Sequence, residues 1–251
     1  MPNTGRAWRL RCLRVLLSML ATSLLAAAAA HSDPRRGLSA TSPDWLLAVG
    51  ALDVPVQQPI EGRLVHLRED CRATLVTREG AGAANIIVTA WHCLEDYRDL
   101  SRPIMFSLAL PNTPPLMLAA RRLADGGGMH ADWAILRLER SIAASTALSL
   151  AVHPGRAEQA IPVTMAGFSP AGSDNIRSLR FHENCRITAQ QRHSTDTDCV
   201  ALKGASGGAV AQRSASGAFL FSGVISEGDG AGYSRFVPTS AFRQTLNQYL
   251  R

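Results

Sequence analysis

From Trp45 onward the chain is written as short apolar runs separated by turn residues. In the first half, Leu46–Val49, Leu64–Leu67, Ala73–Thr77, Ile86–Thr89, Ile104–Leu110, Leu116–Ala120 and Trp133–Leu138 have the length and composition of strands. Ala147–Val152, Pro162–Ala166, Cys185–Thr188, Gly208–Ala211, Phe219–Ile225 and Tyr233–Val237 continue the pattern. Strand-like runs at this spacing, with few helical stretches, predict an all-β sandwich or barrel. There are too many for one small barrel, so two are expected. The break falls near His153–Glu158, where Pro154 and Gly155 interrupt the pattern, which gives units over 45–152 and 153–251. Helical periodicity stands out at the end, where Phe242, Leu246, Tyr249 and Leu250 share one face behind a Thr239 or Ser240 cap. The glycine-rich segments Gly80–Gly82, Gly126–Gly128 and Gly228–Gly232 are expected as surface loops.

The first thirty residues follow a different rule. Arg6, Arg9, Arg11 and Arg14 precede the apolar run Val15–Leu25, and Ala28–Ala30 closes it with small residues. A charged start, a short apolar stretch and an A-x-A site make 1–30 a secretory signal peptide, cleaved after Ala30. The competing reading is an uncleaved anchor, but Val15–Ala30 is shorter than the ~20 residues that span a bilayer core. The mature protein is then secreted or periplasmic, with no stable membrane association. His31–Asp44, rich in Ser, Pro, Arg and Gly, is expected as a flexible leader or short pro-segment.

Composition agrees with this division. With 46% hydrophobic and 18% charged residues among 251, the chain is no disordered protein. Its 26 basic and 20 acidic residues give +6 and a superficial hint of nucleic acid. The arginines are scattered, Lys203 is the only lysine, and no zinc-finger or RNP-like pattern accompanies them, so no nucleic-acid partner is expected. Removing 1–30 takes away four arginines and no acid, leaving 22 basic against 20 acidic residues and a net charge of +2. It also takes away Cys12. Cys71, Cys93, Cys185 and Cys199 remain, an even number that in an exported chain reads as disulfides in one of three pairings. No C-x-x-C pair points to a metal.

Three segments carry chemistry. Thr89-Ala90-Trp91-His92-Cys93 ends a β run, Asp132 opens the strand-like Trp133–Leu138, and Ser206 lies inside the glycine turn Gly204-Ala205-Ser206-Gly207-Gly208. A serine hydroxyl is a weak nucleophile and needs a base within hydrogen-bond reach. Histidine suits that task because it titrates near neutrality. A carboxylate on the other ring nitrogen fixes the tautomer and stabilises the imidazolium. Glycines beside the serine let backbone N–H groups converge where an oxyanion develops. G-x-S-x-G also marks the nucleophile elbow of α/β-hydrolases, but that fold places its histidine after the serine. No histidine follows Ser206; the last is His193. The observed order His92, Asp132, Ser206 is that of the chymotrypsin fold.

The chain resembles the trypsin-like serine peptidases, closest to the short secreted bacterial members that include the glutamyl endopeptidases. Thr89–Cys93 resembles the family's T-A-A-H-C, Asp132–Leu136 its D-x-A-L-L, Gly204–Gly208 its G-x-S-G-G, and Gly223–Ser226 the strand after the nucleophile. The resemblance covers Trp45 to Arg251 and implies two six-stranded antiparallel β-barrels with the site between them. It implies that Ser206 attacks the scissile carbonyl, His92 relays the proton and Asp132 orients His92. The N–H groups of Gly204 and Ser206 would form the oxyanion hole, and no metal or organic cofactor would be needed. Cys71–Cys93 resembles the family bridge that holds the histidine loop, leaving Cys185 with Cys199. The implied partner is a polypeptide substrate, met by a monomer.

Departures from the family shape the expected specificity. Trp91 replaces a small residue before the histidine, and Glu227 replaces an aromatic at the pocket entrance. Ala205 stands where animal enzymes carry the acid that receives a freshly cut N-terminus, so trimming the leader is not expected to switch activity through such an ion pair. Val200, Ser226, Glu227 and Gly228 are the expected substrate-binding residues. An apolar Val200 at the pocket base disfavours charged side chains and favours a small or apolar P1 residue. His66, His130, His153, His182 and His193 lack metal-ligand spacing and are expected in structural or surface roles. Two other functions use the same site: a catalytically silent peptide-binding relative, and an esterase-like hydrolase.

Overall fold

The computed structural model describes residues 33–168 and 179–250. The expected signal peptide lies outside the described residues. The protein is all-β, with two barrel-like sheets and a C-terminal helix.

The first sheet closes on itself. Its strands are β2 (Val49–Ile60), β3 (Arg63–Thr77), β4 (Ala83–Thr89), β5 (Ile104–Leu108), β6 (Leu116–Asp125), β7 (Ala134–Ala143) and the short β8 (Leu150–Ala151). They run in the order β2-β5-β6-β7-β4-β3-β8, and β2 also pairs with β3, which makes a closed six-stranded barrel with β8 added parallel to β3. The second sheet is an open half-barrel. It holds β1 (Arg36–Gly37), β9 (Val163–Phe168), β10 (Leu179–Cys185), β11 (Ile187–Gln190), β12 (Thr195–Thr197), β13 (Ala209–Arg213), β14 (Phe219–Gly228) and β15 (Ser234–Pro238), in the order β1-β10-β9-β13-β14-β15-β12-β11. The chain passes from one sheet to the other between Ala151 and Val163.

Strand alternation explains why the apolar runs are continuous. In β4, Ala84 and Ile87 fill the first barrel, while Ile86 and Val88 face a second core shared by both sheets. In β7, Ala134, Leu136 and Leu138 point into the barrel and Ile135 into the shared core. Strand β13 does the same for the second sheet: Val210 enters its interior core, Ala209 and Ala211 the shared one. Strands buried on both faces need apolar residues at every position.

Several local expectations change. Leu46–Val49 is not a strand; Asp44–Ala48 forms a 3-10 turn whose Trp45, Leu46 and Ala48 are buried in the shared core. The apolar pattern underestimates β2 and β3, which form one long hairpin through Asp53, Glu69 and Asp70. Its turn uses Glu61 (φ 51°) and Gly62 (φ 77°), the left-handed pair that matches strand twist in a two-residue hairpin. Beyond the barrel edge backbone hydrogen bonds carry the ribbon, so its side chains need not be apolar. The segment expected as a flexible leader contributes β1, paired with β10 as Arg36↔Phe181 and Gly37↔Arg180. The terminal helix α1 (Arg243–Tyr249) is shorter than its periodicity implies. A 3-10 turn, Thr239–Ala241, precedes it, and no side chain caps it. Phe242, Leu246 and Leu250 nonetheless bury in the shared core, and Phe242 stacks on Trp133 at 5.2 Å.

Two disulfides are present, Cys71–Cys93 and Cys185–Cys199, with Cα atoms 6.1 and 5.2 Å apart. Among the described residues no helix is long and apolar enough to cross a membrane.

Candidate active site

Strand β4 ends at Thr89, and the chain turns through Ala90 and Trp91 into a one-turn 3-10 helix, His92–Leu94. Cys93 in this turn is bridged to Cys71 of β3, so the histidine turn is fastened to the barrel wall. Asp132 sits at the mouth of β7, after the 3-10 turn Met129–Ala131. It is fully buried, and a buried carboxylate must be met by donors. Three meet it. The His92 backbone N–H donates to Oδ1 at 2.9 Å, His92 Nδ1 lies 2.8 Å from Oδ2, and Ser226 Oγ donates to Oδ2 at 2.5 Å.

This arrangement fixes the imidazole. A proton on Nδ1 is held by Asp132, which leaves Nε2 as the acceptor nitrogen. Burial alone would lower the His92 pKa. The Asp132 hydrogen bond and the charges of Asp132, Glu69 and Glu95 outweigh it and raise the value above the ordinary histidine pKa. The ring is 23% exposed, enough to meet a group arriving from solvent.

Ser206 lies on a turn between the half-barrel's strands β12 and β13, held on every side by backbone hydrogen bonds. Ala205 N–H donates to Leu202 O at 2.9 Å, closing a turn whose third residue, Gly204, has φ 89°. That value suits the glycine position of a type II turn. Gly207 N–H donates to Ile225 O at 2.9 Å, and Ser206 O accepts from Arg72 N–H of the first barrel at 2.8 Å. Gly207 (φ 79°) allows this approach; a Cβ there would lie 2.0 Å from Arg72 O and 2.3 Å from Thr89 Oγ1. Thr89 Oγ1 in turn donates to Arg72 O at 2.6 Å.

Two short chains of contacts link the Ser206 turn to the histidine turn. One runs from Ser206 through Arg72 and the Cys71–Cys93 bridge to the histidine turn. The other runs from His92 through Asp132 to Ser226, which lines the same cleft as Ser206. Among the described residues, Ser206 Oγ makes no hydrogen bond, and neither Gly204 nor Ser206 donates its N–H to another residue. Nucleophile–base bonds are commonly long in unliganded sites and tighten with substrate.

The cleft has a volume of about 420 Å³, with Leu202, Lys203, Ser226, Glu227 and Gly228 on its walls. The expected substrate-binding residues divide here. Gly228 packs against Ala201, where a Cβ would lie 2.5 Å from Ala201 O. Glu227 reaches solvent, with Arg235 Nη1 3.9 Å from its carboxylate. Arg235 is engaged mainly by Asp196, at 2.7 and 3.2 Å. Val200 is not on the cleft wall; it lines a separate small cavity, and its N–H donates to His182 Nδ1 at 3.0 Å. Ser226, one of the expected substrate-binding residues, spends its hydroxyl on Asp132. Sequence reasoning missed that bond and the Arg72–Ser206 clasp. The signal for the first was the serine at the end of Gly223–Ser226; the clasp is a backbone contact and leaves no trace in residue types. His92 with Cys71 and Cys93, and His182 with Cys185 and Cys199, bring metal-ligating atoms together. In both groups the cysteines are joined as disulfides, so no thiolate is offered.

The fold is of the all-β two-barrel class. The crystal structure of the protease Anisep from Arthrobacter nicotinovorans superposes with a TM-score of 0.60 at 19% sequence identity, covering 82% of this chain and 97% of that one. The chain matches no protein-family model, and no curated protein matches it in sequence.

Proposed function

We propose that this chain is an exported serine endopeptidase of the trypsin-like kind, a relative of the short bacterial enzymes that include the glutamyl endopeptidases. It hydrolyses peptide bonds through an acyl-enzyme intermediate. Ser206 attacks the scissile carbonyl, and its proton passes to His92 Nε2. Asp132 stabilises the imidazolium, and His92 then delivers the proton to the leaving amine. Water repeats the sequence to release the acid. The N–H groups of Gly204 and Ser206 hold the oxyanion, each worth about 3 kcal/mol in comparable sites. The observation that carries this reading is the hydrogen-bonded row Ser226–Asp132–His92, whose Ser226 lines the same cleft as Ser206. The fold shared with a protease supports it. The paired disulfides fit a protein that leaves the cytoplasm after losing residues 1–30.

We expect a small or apolar P1 side chain, the preference that the apolar Val200 ahead of the nucleophile turn implies by resemblance. The working enzyme acts on polypeptides as a monomer. Cleavage of a peptide library by the purified protein tests the proposal. Activity that disappears in Ser206→Ala and His92→Ala, with small or apolar residues before the cut, is expected. Turnover of esters alone would make it an esterase, and binding of peptides without cleavage would make it a silent relative.

A further inference from the structure

A second charged side chain lies buried beneath the nucleophile turn, and it comes from the segment ahead of the first barrel. Arg35 keeps only 7% of its surface exposed. With Gly167, Arg180, Val200, Ala205 and Ile225 it lines a cavity of about 10 Å³, room for one water at most. These neighbours hold Ser206 in place. Ala205 directly precedes it, Ile225 O accepts the Gly207 N–H, and Val200 begins the run that leads into the turn. Ala205 is also pressed against β9, where a Cβ on Gly167 would lie 2.7 Å from its own. Any withdrawal of Arg35 opens space on the inner side of this turn.

The backbone around Arg35 is fastened for the purpose. Arg36 and Gly37 pair with Phe181 and Arg180 as β1, and Arg180 Nη1 approaches Arg35 O at 3.5 Å. The Arg36 guanidinium forms an ion pair with Glu183 and lies 5.1 Å from the centre of the Phe181 ring. Arg36 thus anchors on the surface while Arg35 points inward.

We propose that Arg35 is a positioning residue for the nucleophile: its guanidinium, carried in by β1, seats the Gly204–Ser206 turn with both oxyanion N–H groups facing the cleft. The proposal rests on the reading of Ser206 as nucleophile. It assigns to a side chain within the continuous chain a task that requires no free amine, in keeping with Ala205 in place of an acid. The planar, permanently charged fork of arginine gives this seat direction as well as volume.

The test uses the full chain, with Ser206 labelling by a fluorophosphonate and backbone hydrogen exchange of residues 201–208 as separate readouts. Arg35→Ala is expected to slow the labelling step about tenfold or more, without weakening reversible probe binding, as misplacement of reacting groups does. Exchange in 201–208 should rise by a similar factor while β4 and β7 keep wild-type protection. Millimolar guanidinium, but not equal sodium chloride, should restore both in Arg35→Ala, and Arg140→Ala, an exposed site on β7, should change neither. Should Arg35→Ala not fold, Arg35→Lys carries the same test with a smaller loss. Wild-type exchange in 201–208, or a loss that guanidinium leaves untouched, overturns the proposal. If the wild type is not labelled but exchange in 201–208 still rises on substitution, the nucleophile reading fails and the seat of Arg35 stands.

Discussion

His92 carries the clearest pH signature in the molecule. Its partners raise its pKa above the ordinary value near 6.5, and a general base must be neutral. Acylation of Ser206 should therefore rise with pH through a midpoint above 6.5, and a midpoint below that value in a labelling-rate profile would contradict the assignment. The sign for stability is the reverse. A histidine whose folded pKa is raised contributes stability fully present below its unfolded pKa and lost as pH climbs through the folded one. Ser226→Ala removes one of three donors from a buried carboxylate. Its labelling rate should fall about tenfold while probe binding holds, in line with the modest worth of one hydrogen bond to a charged group. Gly207→Ala is harsher, because its φ of 79° and the 2.0 Å approach to Arg72 O leave no room for a methyl group. Labelling should be lost, and a variant with wild-type rates would show that the clasp is dispensable. His92, Asp132 and Ser206 were each legible as motifs because their chemistry constrains their neighbours. The hydroxyl direction of Ser226 was not, since strand alternation depends on a register that sequence does not reveal.

At the scale of elements, alternation made the buried strands readable and the exposed ones obscure. Strands β4 and β7 stand out because both faces are covered. The outer half of β3 is charged, and only Leu64–Leu67 reads as a strand there, since hydrophobicity marks burial and not hydrogen bonding. The leader shows the opposite failure. Its composition reads as a flexible leader, yet Arg35 is buried and Arg36 anchors β1. Composition cannot separate the two, because pairing with β10 is a long-range contact. For α1, the periodicity found the buried face but not the start, which a 3-10 turn takes over. Leu246 is completely buried in the shared core, so Leu246→Ala should cost about 2–5 kcal/mol in urea unfolding. A change under half a kilocalorie would mean that the helix is not part of the cooperative unit.

For the whole molecule, the shared core and the cross-sheet hydrogen bonds make the site a joint product of both sheets. His92 and Asp132 come from the closed barrel, Ser206 and Ser226 from the half-barrel, and the Arg72–Ser206 and Asp132–Ser226 bonds cross between them. The Cys185–Cys199 bridge ties the end of β10 to the segment leaving β12. Replacing both cysteines with alanine should lower stability by about 2–5 kcal/mol, read as a shifted denaturant midpoint. The most direct test of a serine peptidase here is reaction of the folded protein with a fluorophosphonate, followed by mass mapping of the adduct. A single adduct on Ser206 is expected, absent in Ser206→Ala and slowed in His92→Ala. A folded wild-type protein that forms no adduct, or forms it on another residue, would contradict it.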